Sequence, residues 1–203
     1  MIALYRDGSF KSQFDYTGTQ RTQGEKTKIS STEHQTDALP KTLFRRSSGG
    51  RVNSNVMDWK LNILTTDASI RELLQATKTI AVLGVKPESH AGQPAFYVPK
   101  YMADAGYDVI PVPVYYPDVT EILGKKVFRD LNEIPGEIDL LNVFRRSDDI
   151  PKHTFEILSK RPKAVWFQLG IRNDDVAEKL AEAGISVVQD LCLMIEHRAL
   201  LSR

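Results

Sequence analysis

At 203 residues, 41% of them hydrophobic and 26% charged, the chain has room for one ordinary globular domain and an extension. A formal net charge of +1 is not that of a surface built to neutralise a phosphate backbone, so nucleic acid is not an expected partner. No run approaches the ~18 apolar residues of a membrane span, and the one cysteine, Cys192, closes no intrachain disulfide and builds no zinc site with four scattered histidines.

The charge is uneven along the chain. Residues 1–55 carry nine Lys/Arg and five Asp/Glu, which leaves 18 against 21 for the remainder. This head is rich in Ser, Thr, Gln and Gly, as in Arg45-Arg46-Ser47-Ser48-Gly49-Gly50, and has no apolar periodicity to build a core. It reads as a disordered extension. An organelle-targeting segment is the alternative, weakened by five acidic residues; otherwise a cytoplasmic location is expected, since no apolar leader is present.

From about Val56 onward apolar blocks alternate with amphipathic stretches. The spacing predicts a helix over 67–74, with Asp67 as N-cap and Ile70, Leu73 and Leu74 on one face. Residues 79–84 form a continuous β-branched and apolar run ending in glycine, the pattern of a strand buried on both faces. Pro94 suits the first turn of a helix reaching Ala105, stopped by Gly106. Strands follow over 108–112 and 138–144, a helix over 151–159, and a strand over 164–168. A helix over 173–183 stopped by Gly184, a strand over 185–188 and a last helix from about Leu191 complete the series. Such alternation predicts βαβ units in an α/β domain spanning 56–203, a Rossmann-like, doubly wound, five-stranded parallel sheet flanked by helices.

Ligands of such sheets bind outside the carboxyl ends of the strands, so the residues after each strand carry the information. After the first come Gly84, Val85, Lys86 and Pro87, then His90 and Gly92. A glycine there lets backbone approach a phosphate and the next helix offers free N–H groups, although a plain strand-to-helix turn also needs a glycine. The segment is neither G-x-G-x-x-G nor G-x-x-x-x-G-K-S/T. No carboxylate ends the second strand to hold a ribose hydroxyl, which disfavours NAD. Instead Val112, Pro113 and Val114, followed by Tyr115 and Tyr116, make a stiff apolar wall for a base, or else part of the core.

Phe144, Arg145 and Arg146 follow Val143 at the end of the third strand. Their guanidinium groups suit bidentate pairing with phosphate, yet Asp148 and Asp149 offer surface ion pairs instead; one arginine of each kind is the expectation. Gln168 and Gly170 bracket a tight turn after the fourth strand. Asp190 is expected to cap the last helix, with Cys192 packed in its first turn. No catalytic residue and no metal site is legible.

Together, Ile80 to Val85, Gly106 to Val112, Val143 to Arg145, Val165 to Gly170, and Asp190-Leu191-Cys192 with Glu196 resemble, in order, the small CoA-binding protein family. Its members are relatives of the CoA-binding domain that opens the succinyl-CoA synthetase α subunit. The resemblance implies coenzyme A as ligand, with its pyrophosphate near Gly84, Val85 and Lys86. It puts adenine near Val112 to Val114 and the third loop, Val143 to Arg145, alongside. Where the family often carries an arginine before the helix-opening proline, this chain has Gln93. Nothing matches the ligase's swivelling histidine. The implied role is a non-catalytic carrier, sensor or regulator of CoA or acyl-CoA, the alternative being an NAD(P)-binding oxidoreductase or redox-sensing domain. No protein partner is named by the sequence, and a homodimer stays open.

Overall fold

The computed structural model describes residues 58–201; the extension expected over 1–55 lies outside the described residues. A short 3-10 turn, Trp59–Asn62, precedes α1 (Asp67–Ala76). Thr66, not Asp67, is the N-cap: its hydroxyl accepts from the Ser69 N–H at 3.2 Å, leaving Asp67 in the first turn to favour the helix dipole.

Five strands form one sheet: β1 (Thr79–Leu83), β2 (Asp108–Val112), β5 (Leu140–Val143), β6 (Ala164–Phe167) and β7 (Ser186–Val188). Their order is β2-β1-β5-β6-β7 and every pairing is parallel. The expected strand over 138–144 is trimmed at both ends. A two-stranded hairpin, β3 (Glu121–Ile122) with β4 (Lys125–Lys126), packs beside β2 and was not foreseen from the sequence.

Alternate strand residues serve two cores, as the period of two requires. Ala81, Leu83, Leu141, Val143, Val165 and Phe167 face one side, with Ile157 of α3 (Thr154–Lys160) and Val176 and Leu180 of α4 (Asp174–Glu182). Ile80, Val82, Leu140 and Trp166 face the other, with Ile70 and Leu74 of α1. Phe96 and Met102 of α2 (Pro94–Asp104) and Leu193 of α5 (Leu193–Leu200) complete that core. Both sheet faces are therefore covered, which is why the strands read as continuous apolar runs.

Two helix boundaries differ from expectation. Residues 147–153 form a 3-10 segment containing Pro151, and regular α-helix begins only at Thr154. The last helix starts at Leu193 with Cys192 as its N-cap. Asp190 instead sits in left-handed backbone with φ 57° and accepts from the Gly170 N–H at 2.6 Å, so it pins the loop after β6 and caps no helix.

Candidate functional site

The strand order reverses between β1, which leads outward to β2, and β5, which leads to β6 and β7. A crevice is expected outside the carboxyl ends of those two strands. The structure has a cleft of about 560 Å³ there, built by the loops after β1, β2, β5 and β6 and the first turns of α2 and α5.

The β1 loop is held by backbone bonds. Gly84, at φ 88°, donates its N–H to Val112 at 2.8 Å, and a Cβ on it would stand 2.5 Å from the Phe144 carbonyl oxygen. Only glycine fits that approach between the first and third loops. The Lys86 N–H donates to the Ala95 carbonyl at 3.1 Å. That carbonyl is open because its helical donor would be residue 99, a proline inside α2. With the Gly84 and Lys86 N–H groups engaged, the side chain this loop offers an anion is the Lys86 ammonium, which meets the Gln93 side-chain carbonyl. Pro94 at the first helical position then brings the N-terminus of α2 into the same wall.

The two arginines differ in burial, Arg145 turned inward and Arg146 outward, and both reach Asp149. Arg145 is 9% exposed; its guanidinium carbon lies 5.3 Å from the Tyr115 ring centroid and its nearest terminal nitrogen 3.5 Å from Asp149. Its Nε is buried without a hydrogen-bond partner. Arg146 is 84% exposed and reaches Asp149 through Nε at 3.1 Å. Lys152 joins at 2.6 Å, so three cations surround one carboxylate. Lys152 and then Arg146 hold the Asp149 carboxyl at about 2, well below its ordinary value. Hydrogen bonding and charge from Arg145 lower the Tyr115 phenol.

Of the residues singled out from the sequence, Gly84, Lys86, Phe144, Arg145, Arg146, Gln168 and Gly170 line the cleft. Val85, Val112 and Val143 point into the two cores, and Pro87 and Pro113 are buried, so these five line no part of it. Val114 is exposed beside it. His90 also stands outside the lining, where it is hydrogen-bonded through Nε2 to the Tyr116 hydroxyl at 3.3 Å and ties the first loop to the second.

Sequence reasoning missed the brace of the aromatic loop. The Arg129 guanidinium donates to the carbonyls of Tyr115, Tyr116, Pro117 and Val119, holding Tyr116 at a φ of 67°. It also missed the apolar end, where Leu169, Ile171, Met194 and Ile195 line the cleft with the half-buried Cys192. The start of α5 is fixed from the sheet: Trp166 donates Nε1–H to the Leu191 carbonyl at 2.7 Å. Gln168 accepts from the Leu193 N–H at 3.4 Å and donates to Asn142 Oδ1 at 2.7 Å.

Among the described residues lining the cleft, three are cationic and none is acidic. No group of three or more His, Cys, Asp or Glu that could hold a metal ion occurs among the described residues, and none of their helices is long and apolar enough to cross a membrane.

The comparisons with known proteins agree with this architecture. A curated relative, the uncharacterized protein YneT of Bacillus subtilis, is 40% identical over 130 residues, covering 64% of this chain and 93% of that protein. A Thermus thermophilus structure described as cell-free ID.343 shares 40% identity with a TM-score of 0.62, covering 68% of this chain and all of that one. A hypothetical protein of Pyrococcus horikoshii shares 35% identity with a TM-score of 0.61, over 68% of this chain and 93% of that one. Residues 78–198, which hold the whole sheet and the cleft, match the CoA binding domain family. With more than half its length matched, the chain belongs to that family.

Proposed function

We propose that the cleft binds coenzyme A or an acyl-CoA, and that the protein serves as a carrier, sensor or regulator of that ligand. The observation that carries this reading is the charge of the cleft lining, three cations and no acidic side chain, two of the cations, Arg145 and Arg146, also reaching Asp149 outside the lining. The buried Arg145 Nε adds a donor awaiting an acceptor, since an unpaired buried donor costs free energy until a ligand satisfies it. A polyanion with a long uncharged arm fits both halves of the cleft.

The residues divide the work by chemistry. Lys86 and the first turn of α2 would meet the diphosphate, with Arg145 completing the anion site from the third loop. Tyr115, 59% exposed at the mouth, would offer its ring to adenine. The apolar wall of Leu169, Ile171, Met194 and Ile195 would take the pantetheine arm. CoA itself would supply a thiol or thioester; the chain's part is to bind and orient it. A dinucleotide is less well served, because β2 runs into Pro113 and Val114 with no carboxylate for a ribose hydroxyl.

Native mass spectrometry of the full chain, freshly purified and then titrated, tests the reading. One CoA or acyl-CoA per chain is expected. A chain that carries none and takes up none on titration overturns it.

A further inference from the structure

The strand order sets the sequence of chemistries along the cleft. Neighbouring strands lie ~4.8 Å apart, so the path from the end of β2 to the end of β6 covers roughly 14 Å. Along it come the Tyr115 ring after β2, Lys86 after β1, Arg145 after β5, and Leu169 after β6. The α5 N-cap, Cys192, lines the same cleft beside the β6 end, between Leu191, which is bonded to Trp166, and Leu193, which is bonded to Gln168. An aromatic ring, cations, an apolar wall and a thiol thus share one cleft, and CoA carries a counterpart to each in its adenine, phosphates, pantetheine arm and sulfur.

Cys192 is half-buried in the cleft wall, and it is the chain's one cysteine. Its position is held by the Trp166 bond to Leu191 and the Gln168 bond to the Leu193 N–H on either side of it. A ligand in the same cleft is indicated separately by Arg145, whose side chain is nine-tenths buried and whose Nε has no partner.

We infer that Cys192 is a modification site that forms a mixed disulfide with the CoA sulfur, an inference that rests on the CoA-binding reading of this cleft. The co-reactant is a disulfide of CoA. The Cys192 thiol gives its proton to solvent, and its Sγ attacks the CoA-bearing sulfur. The new Sγ–S bond forms as the old S–S bond breaks, and the departing thiolate takes up a proton. One disulfide is consumed and one is made, so no further oxidant is needed. Binding through the phosphates raises the local concentration of the reacting sulfur at Cys192, which makes the modification selective for CoA.

The test treats the full chain with CoA disulfide or with oxidised glutathione and follows the intact mass over time. A single CoA adduct that dithiothreitol removes is expected, forming at least about tenfold faster than the glutathione adduct. Desulfo-CoA, which keeps the phosphates but lacks the thiol, is expected to slow it, and Cys192→Ser to abolish it. Equal rates with the two disulfides, or no protection by desulfo-CoA that calorimetry shows to be bound, overturn this inference alone. Failure of desulfo-CoA and CoA to bind at all overturns the binding reading with it.

Discussion

Gly84 and Phe144 touch backbone to backbone where the sheet changes direction: a Cβ at residue 84 would lie 2.5 Å from the Phe144 carbonyl oxygen. The first and third loops meet there to form the floor of the cleft. Gly84→Ala therefore meets two penalties, the clash and a φ of 88° that side chains rarely adopt. Backbone strain of this kind costs about 1–3 kcal/mol, and each kcal/mol lowers the melting temperature of a domain this size by roughly 2–4 °C. Thermal melts of the variant check it; an unchanged transition would show that the two loops part freely.

Tyr115 covers Arg145 on one side and faces solvent on the other. If it stacks on adenine, Tyr115→Ala lowers CoA affinity by about 1–3 kcal/mol, the usual worth of a base on an aromatic ring. Tyr115→Phe keeps the ring and is expected to retain most of that affinity. Calorimetric titration of both variants separates stacking from any role of the hydroxyl.

The cluster around Asp149 sets an acid limit. Its folded-state value of about 2 lies below the ordinary 3.8, so its contribution to stability is complete above pH 3.8 and is lost as pH falls towards 2. Asp139 acts in the same direction. Burial pulls its carboxyl up, but the Lys163 ammonium and the Thr79 and Lys78 N–H groups together outweigh that and lower it. Denaturant melts are expected to show falling stability across this window, and Asp149→Asn to flatten the fall partly, Asp139 and Asp174 being among the groups that supply the rest. A variant whose pH profile matches the wild type would mean the cluster adds nothing to folding.

Much of this was legible in the sequence because parallel strands are buried on both faces and so appear as unbroken apolar blocks, such as Ile80 to Leu83 and Ala164 to Phe167. The residues that follow those blocks then fall at one sheet edge, which is how Gly84, Lys86, Arg145 and Gln168 could be singled out. The β3–β4 hairpin was not legible, since strands of two residues have no measurable period. Nor was Arg129, whose value comes from four carbonyls of a loop at least ten residues earlier. Met194 and Ile195 read as core residues of a helix; that they face a cleft depends on where Trp166 and Gln168 fix the start of α5. Asp190 was misread as a cap because its positive φ, which turns its carboxylate to Gly170, has no sequence signal of its own.

The deciding measurement is calorimetric titration of the full chain with CoA and, separately, with NAD. One CoA site per chain and no heat from NAD are expected. Lys86→Ala is expected to weaken CoA binding about ten- to a hundredfold, as loss of a charge-assisted bond would, with its melting temperature unchanged. Saturable NAD binding without CoA binding would overturn the CoA-binding reading.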